Sequence, residues 1–142
     1  MKKIIIQPPW DFEFDLDTIT LWSKKQWTNE FKKEGIKVFG LSLSNLVIGI
    51  CVFHVVLDEA QINFFAINHK YRKKGFGTHL MSYLIEECKK CNINKLFLEV
   101  SQTNVTAEKF YSRFDFCTVG IRRNYYKDGS DALLKEKNLT TK

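Results

Sequence analysis

Apolar positions along the chain fall first into strand-like runs and then into helical spacing. Ile36 to Leu43 and Leu46 to Leu57 are two such runs on either side of Ser44-Asn45, a turn pair, and predict a hairpin. The second run is β-branched and almost unbroken in apolarity, as expected of a central strand buried on both faces. Asp58-Glu59 makes the next turn, and Gln61 to Asn68 reads as a third strand, completing a meander. Phe76, Leu80, Tyr83, Leu84, Cys88 and Cys91 then recur at helical spacing through about Lys90. Asn92 to Asn94 break that helix, and Lys95 to Val100 is a strand. Asn104 is placed to cap a short helix whose apolar positions are Ala107, Phe110, Tyr111 and Phe114. Cys117 to Tyr126 and Asp131 to Lys135, joined by Lys127-Asp128-Gly129-Ser130, close the chain as a hairpin.

The two ends are less regular. Residues 1–16 hold both prolines, Pro8 and Pro9, and an aromatic and acidic mixture with no clean period, which reads as an irregular arm. A helical turn is expected from Asp17 to Trp22. Ser23-Lys24-Lys25-Gln26 then has the form of a capping box, with Trp27 and Phe31 as the stripe of a short amphipathic helix ending at Gly35. Residues 137–142 are a polar tail, expected to fray. Residues 17–136 are left as one domain without repeat or linker. Within it, the crossover from the third strand through a helix to Lys95–Val100 demands a parallel strand pair, so the sheet is mixed and the class α/β.

Composition restricts the function classes. At 142 residues, 44% hydrophobic and 14% aromatic, the chain can bury a real core and does not have the composition of a disordered protein. No apolar run approaches the roughly 18 residues of a membrane span, and three isoleucines after Lys2-Lys3 are too short for a signal core. A cytoplasmic location without membrane contact is expected. The net charge of +6 favours acidic partners, such as a phosphorylated cofactor, a ribonucleoprotein surface or nucleic acid. Its basic residues are scattered rather than interleaved with aromatics on one face, so direct nucleic-acid binding is not expected. Cys51, Cys88, Cys91 and Cys117 lack the spacing of a zinc site and read as reduced thiols, with Cys117 in the core. His54, His69 and His79 read as structural or solvent-facing.

One stretch carries chemistry. Arg72-Lys73-Lys74-Gly75-Phe76-Gly77-Thr78 lies where the third strand passes into the central helix. Glycines let the backbone approach a ligand, while the helix N-terminus and three cations supply donors and field for an anion. By itself the motif is equally the basic entrance of an ordinary helix. It is not a P-loop, because no Lys-Ser/Thr follows the second glycine, and no Gly-x-Gly-x-x-Gly is present.

With Leu98-Glu99-Val100-Ser101-Gln102-Thr103-Asn104, Ala107, Tyr111, Ile121-Arg122-Arg123-Asn124-Tyr125-Tyr126 and Asp131-Ala132-Leu133-Leu134, the motif resembles the GCN5-related N-acetyltransferases (GNAT). Within them it is similar to the RimI-like ribosomal-protein-alanine acetyltransferases. The similarity covers roughly Leu21 to Lys135. It implies an antiparallel meander followed by a parallel pair splayed around acetyl-CoA, with helices on both faces. It also implies that Phe65, Ala66 and Ile67 offer backbone to the pantetheine arm, and that Arg72, Lys73, Lys74, Gly75, Phe76, Gly77 and Thr78 cradle the phosphates. Asn104 would contact the coenzyme, Glu99 would be the general base and Tyr111 the general acid. The acceptor implied is a protein N-terminus, that of a ribosomal protein, and no metal is required.

The chemistry is consistent with those roles. An α-amino group with a pKa near 8 is roughly a tenth unprotonated at pH 7, against about four parts in ten thousand for a lysine, so a modest base suffices. Each residue also has a plainer role: Glu99 as a paired carboxylate on the sheet face of Phe97 and Ser101, Tyr111 as packing, Asn104 as a cap.

Departures from the family pattern are Asp115 where a glycine is usual, at a turn that often takes positive φ, His69 for a proline and Ser101 for an arginine. The N-terminal arm also lacks the expected strand. Another protein N-terminus, a small amine, or coenzyme A binding without catalysis are therefore the alternatives.

Overall fold

The computed structural model describes residues 2–5, 29, 32–43 and 46–140. Strands β1 (Lys2–Ile5), β2 (Ile36–Leu43), β3 (Leu46–Val56) and β4 (Glu59–Ile67) are followed by helix α1 (Phe76–Lys90) and strand β5 (Lys95–Ser101). Helix α2 (Val105–Arg113) and strands β6 (Cys117–Arg122) and β7 (Ala132–Asn138) complete the chain. One seven-stranded sheet results, in the order β1-β2-β3-β4-β5-β7-β6. The meander is antiparallel, and β4 and β5 form the expected parallel pair.

Several boundaries differ from expectation. Lys2–Ile5 pairs with β2 as an edge strand, within the stretch expected as an irregular arm. The β3–β4 turn is at Leu57 and Asp58 rather than Asp58-Glu59, with Leu57 at φ 57°. Strand β7 runs to Asn138, and the buried Leu139 donates its amide to the Asn94 carbonyl, so the tail is tied down three residues further than expected. The expected turn at Asp17 to Trp22, the capping box at Ser23 and the Ser44-Asn45 turn lie outside the described residues.

The sheet carries apolar side chains on both faces over β2 and β3. On one face Phe39, Leu41, Cys51 and Phe53 join a core with Leu80, Met81 and Leu84 of α1 and Leu96, Leu98 and Val100 of β5. Alternation turns Val38, Ile50 and Val52 to the other face, where they too are buried. The helical spacing of α1 is thus explained by what it covers. Leu80, Met81 and Leu84 are wholly buried, each worth roughly 1.5–3 kcal/mol, and Leu84→Ala would cost about 2–5 kcal/mol. Ala107, Phe110, Tyr111 and Phe114 of α2 pack against the same core, so among the described residues α1 and α2 lie on one face.

Candidate active site

The parallel pairing is short. It joins Glu59–Ile62 to Lys95–Leu98 and stops, although β4 continues to Ile67 and β5 to Ser101. Past Leu98, β5 is paired on its other side with β7, so Glu99, Val100 and Ser101 stay extended without a parallel neighbour. The gap between the strands is a cleft of about 320 Å³. Phe64 and Phe65 line it from β4, Glu99 and Ser101 from β5, Asn104 and Tyr111 from the α2 segment, and Tyr126 from the loop after β6.

Glu99 and Tyr111 reach this cleft from opposite sides of the sheet. The buried residues of β5 are Leu96, Leu98 and Val100, on the helix face, which puts Glu99 on the other face with Phe97 and Ser101. Tyr111 comes from α2 on the helix face, in edge contact with Phe110 and Phe116. Only where the sheet is split can the two side chains line one space. Burial, with the Cys51 thiol beside it, pushes the Tyr111 phenol well above its ordinary value, so the hydroxyl is a retained proton.

Glu99 is also paired. Arg122 Nε forms an ion pair with Glu99 Oε2 at 2.7 Å, with the carboxylate side chain 18% exposed and the arginine 57%. The plainer role of a paired carboxylate and the position in the cleft therefore hold together. Tyr126 faces the same group: burial first, then the Glu99 charge, then Tyr125 raise its phenol above the usual value. Neither Arg122 nor Tyr126 had been given a role from sequence. The Arg-Asn-Tyr-Tyr stretch was the signal, but its proximity to Glu99 depends on β7 lying between β5 and β6.

The loop carrying Tyr126 is fastened by Asp131. Its Oδ1 accepts from the Asn124 amide at 2.9 Å, and its own amide donates to Gln102 Oε1 at 2.9 Å. Gln102 in turn donates its amide to the Asp131 carbonyl at 3.0 Å. The loop is thereby held to the end of β5.

Asn104 caps α2: its Oδ1 accepts from the Ala107 amide at 3.1 Å, while the residue lines the cleft. Along β4, the Asn68 amide donates to the Ile48 carbonyl at 2.7 Å. Antiparallel alternation therefore turns the backbone of Ala66 toward β3 and that of Phe65 and Ile67 away from it. The Ile67 carbonyl is taken by Arg72 Nε at 2.9 Å. Of the three strand residues expected to offer backbone, Phe65 is the one that both lines the cleft and turns its backbone groups away from β3.

Arg72 to Thr78 lie outside that cleft, beyond the end of β4. Lys73 at φ 61° and Gly75 at φ 86° bend the chain, and Gly75 is the N-cap of α1. A Cβ at Gly75 would meet nothing within 4 Å, so its backbone conformation, not crowding, favours glycine there. Gly77 packs against α2, where a Cβ would lie 3.4 Å from the Phe110 ring. The loop thus presents open backbone and cations at a helix N-terminus, which fits a phosphate group.

The remaining candidates take structural roles or none. His54 Nε2 bonds the Glu34 carbonyl at 2.8 Å, and His69 and His79 are exposed. All four cysteines are free thiols, but Cys117 is exposed rather than in the core, because β6 is an edge strand whose side chains are mostly exposed. Asp115 does adopt positive φ, at 66°. Among the described residues no helix is long and apolar enough to cross a membrane.

Residues 5–116 match the Acetyltransferase (GNAT) family. The chain belongs to that family. Its GNAT relatives include the "[ribosomal protein bS18]-alanine N-acetyltransferase" of Escherichia coli, 33% identical over 74% of this chain and 70% of that protein. A "putative [ribosomal protein bS18]-alanine N-acetyltransferase" of Bacillus subtilis is 40% identical over 61% of this chain, and the match spans only 58% of that relative's length. The crystal structure of the E. coli ribosomal-protein-S18-alanine N-acetyltransferase superposes with a TM-score of 0.87, at 27% identity, covering 100% of this chain and 96% of that one. The chain is thus a RimI-like GNAT, an acetyl-CoA-dependent N-acetyltransferase.

Proposed function

We propose that this GNAT acetylates the N-terminal α-amine of a protein, the N-terminal alanine of a small-subunit ribosomal protein being the favoured acceptor. The observation that carries this reading is Glu99 and Tyr111 lining one cleft from opposite faces of the sheet, where β4 and β5 part. The acceptor follows the bS18-alanine acetyltransferases to which the chain is similar.

Acetyl-CoA supplies the thioester, and this chain's residues do the rest. Arg72 to Thr78 hold the phosphates, Phe65 meets the pantetheine arm with its backbone, and the Asn104 amide adds a contact beside its capping bond. Glu99 takes the proton from the acceptor ammonium, directly or through water, freeing the lone pair that forms the new C–N bond. As the C–S bond breaks, Tyr111 gives its proton to the departing sulfur and regains one from the new amide nitrogen, while Glu99 releases its proton to solvent. Burial keeps the proton on the Tyr111 phenol until the sulfur takes it. Holding amine and thioester in line supplies much of the remaining acceleration.

A coupled free-thiol assay with acetyl-CoA tests this. The panel includes a peptide beginning Ala-Arg, peptides with other N-termini, a peptide with a blocked N-terminus and an internal lysine, and a small amine. Thiol release with the Ala-Arg peptide above all others is expected. Preference for the small amine overturns the acceptor, and binding of acetyl-CoA with no thiol release from any amine overturns the enzyme.

A further inference from the structure

Arg122 is a residue to which the chemistry above gives no task, yet it holds the candidate base. The row on the cleft side of the sheet explains how. Glu99 pairs with Leu134, and Leu134 with Gly120; one row on, Ser101 pairs with Ala132, and Ala132 with Arg122. Paired residues share a face, so Arg122 and Glu99 point to the same side with β7 between them. Between Arg122 and Ser101 stands Ala132, a single methyl, over which a long side chain can cross to Glu99. The guanidinium lies 5.7 Å over the Tyr125 ring, and Tyr125 meets Tyr126 edge-on at 5.1 Å. The ion pair joins Arg122 Nε to Glu99 Oε2 at 2.7 Å, and the Glu99 side chain lines the cleft.

The pair adds little to stability, because an arginine 57% exposed shares its charge with water. Its effect is on orientation. A glutamate has three rotatable bonds, and a base that wanders from the amine loses much of its rate advantage. We propose that Arg122, steadied by Tyr125, is a positioning residue that fixes the Glu99 carboxylate toward the acceptor amine. The proposal rests on Glu99 being the base.

The test is a double-mutant cycle with acetyl-CoA and the Ala-Arg peptide, product being measured by mass spectrometry and acetyl-CoA affinity by calorimetry. Arg122→Gln is expected to lower kcat about 10-fold with the acetyl-CoA Kd unchanged, and Arg122→Lys to restore part of the loss. In an Glu99→Gln background the same Arg122→Gln change is expected to do almost nothing. A kcat equal to wild type in Arg122→Gln, or losses that multiply in the double variant, overturns the proposal. If Glu99→Gln alone is as active as wild type, the base assignment fails and this inference with it. That outcome is distinct from a fully active Arg122→Gln beside an impaired Glu99→Gln.

Discussion

Ile62 and Leu98 face one another as the last parallel pair of the sheet, and past them β4 and β5 separate. Everything assigned to the site follows from this fork. It turns the backbone of Phe65 to open space and lets groups from the two faces of the sheet meet. It also points both strand ends toward the entrance of α1.

The entrance is tested at Gly75. Alanine there meets no atom but must hold φ near 86°, at a cost of about 1 kcal/mol. Gly75→Ala should weaken acetyl-CoA binding about 5-fold by calorimetry, with kcat at saturation little changed. Gly129 has the same φ and equally open surroundings in the β6–β7 loop, so Gly129→Ala is a matched control and should leave acetyl-CoA affinity as it was.

Tyr111 makes a prediction about pH. In the unfolded chain its phenol ionises near 10, whereas burial holds the folded phenol higher. Below the unfolded value both states keep the proton; above it the unfolded state loses the proton first, so stability falls as pH rises. Cys88, raised to about 12 by burial, then by Cys91 and Glu87, acts in the same direction from the ordinary thiol range upward. Chemical denaturation from pH 8 to 11 should show declining stability, and Tyr111→Phe should reduce the decline above pH 10. A decline of equal slope in Tyr111→Phe would contradict this.

Two left-handed residues are positions where the backbone prefers another side chain. Leu57 sits at φ 57° in the β3–β4 turn and is 92% exposed, and Asp115 sits at φ 66° after α2. Leu57→Asn and Asp115→Gly should each stabilise by about 0.5–1 kcal/mol, raising Tm by about 2–5 °C. A lower Tm in either variant would show that the native side chain has a compensating role.

The helix that carries Tyr111 is joined to β7 by an ion pair. Lys135 Nζ, on a side chain 3% exposed, donates to Glu108 Oε1 at 3.2 Å and to Thr118 Oγ1 at 2.7 Å. Removing Glu108 leaves a buried ammonium without its counter-charge, whereas removing Lys135 leaves a carboxylate that still reaches water. Glu108→Gln should therefore cost about 2–3 kcal/mol and Lys135→Met less than about 1 kcal/mol, measured by denaturant unfolding.

The strand and helix pattern was legible wherever packing decides it. The unbroken apolarity of Leu46 to Leu57 marks a strand buried on both sides, and the spacing from Phe76 to Cys88 matches the face α1 lays on the core. The ends were not, because Lys2–Ile5 and Lys137–Asn138 are strand through pairing with distant partners rather than through local propensity. In the cleft, Glu99 and Tyr111 were singled out as candidates by motif. Arg122 was not, since sequence order puts β6 before β7 while space puts β7 beside β5. The hold of Arg72 on the Ile67 carbonyl was hidden as well, because a basic side chain near a glycine loop is first read as a ligand contact.

The most direct measurement is the kcat of Glu99→Gln and Tyr111→Phe with saturating acetyl-CoA and the Ala-Arg peptide, alongside the acetyl-CoA Kd of each variant. A loss of about 10²–10⁴ in kcat for each, with Kd unchanged, is predicted for a base and an acid acting in the same cleft. Wild-type turnover in both variants would contradict it and move the chemistry away from the fork between β4 and β5.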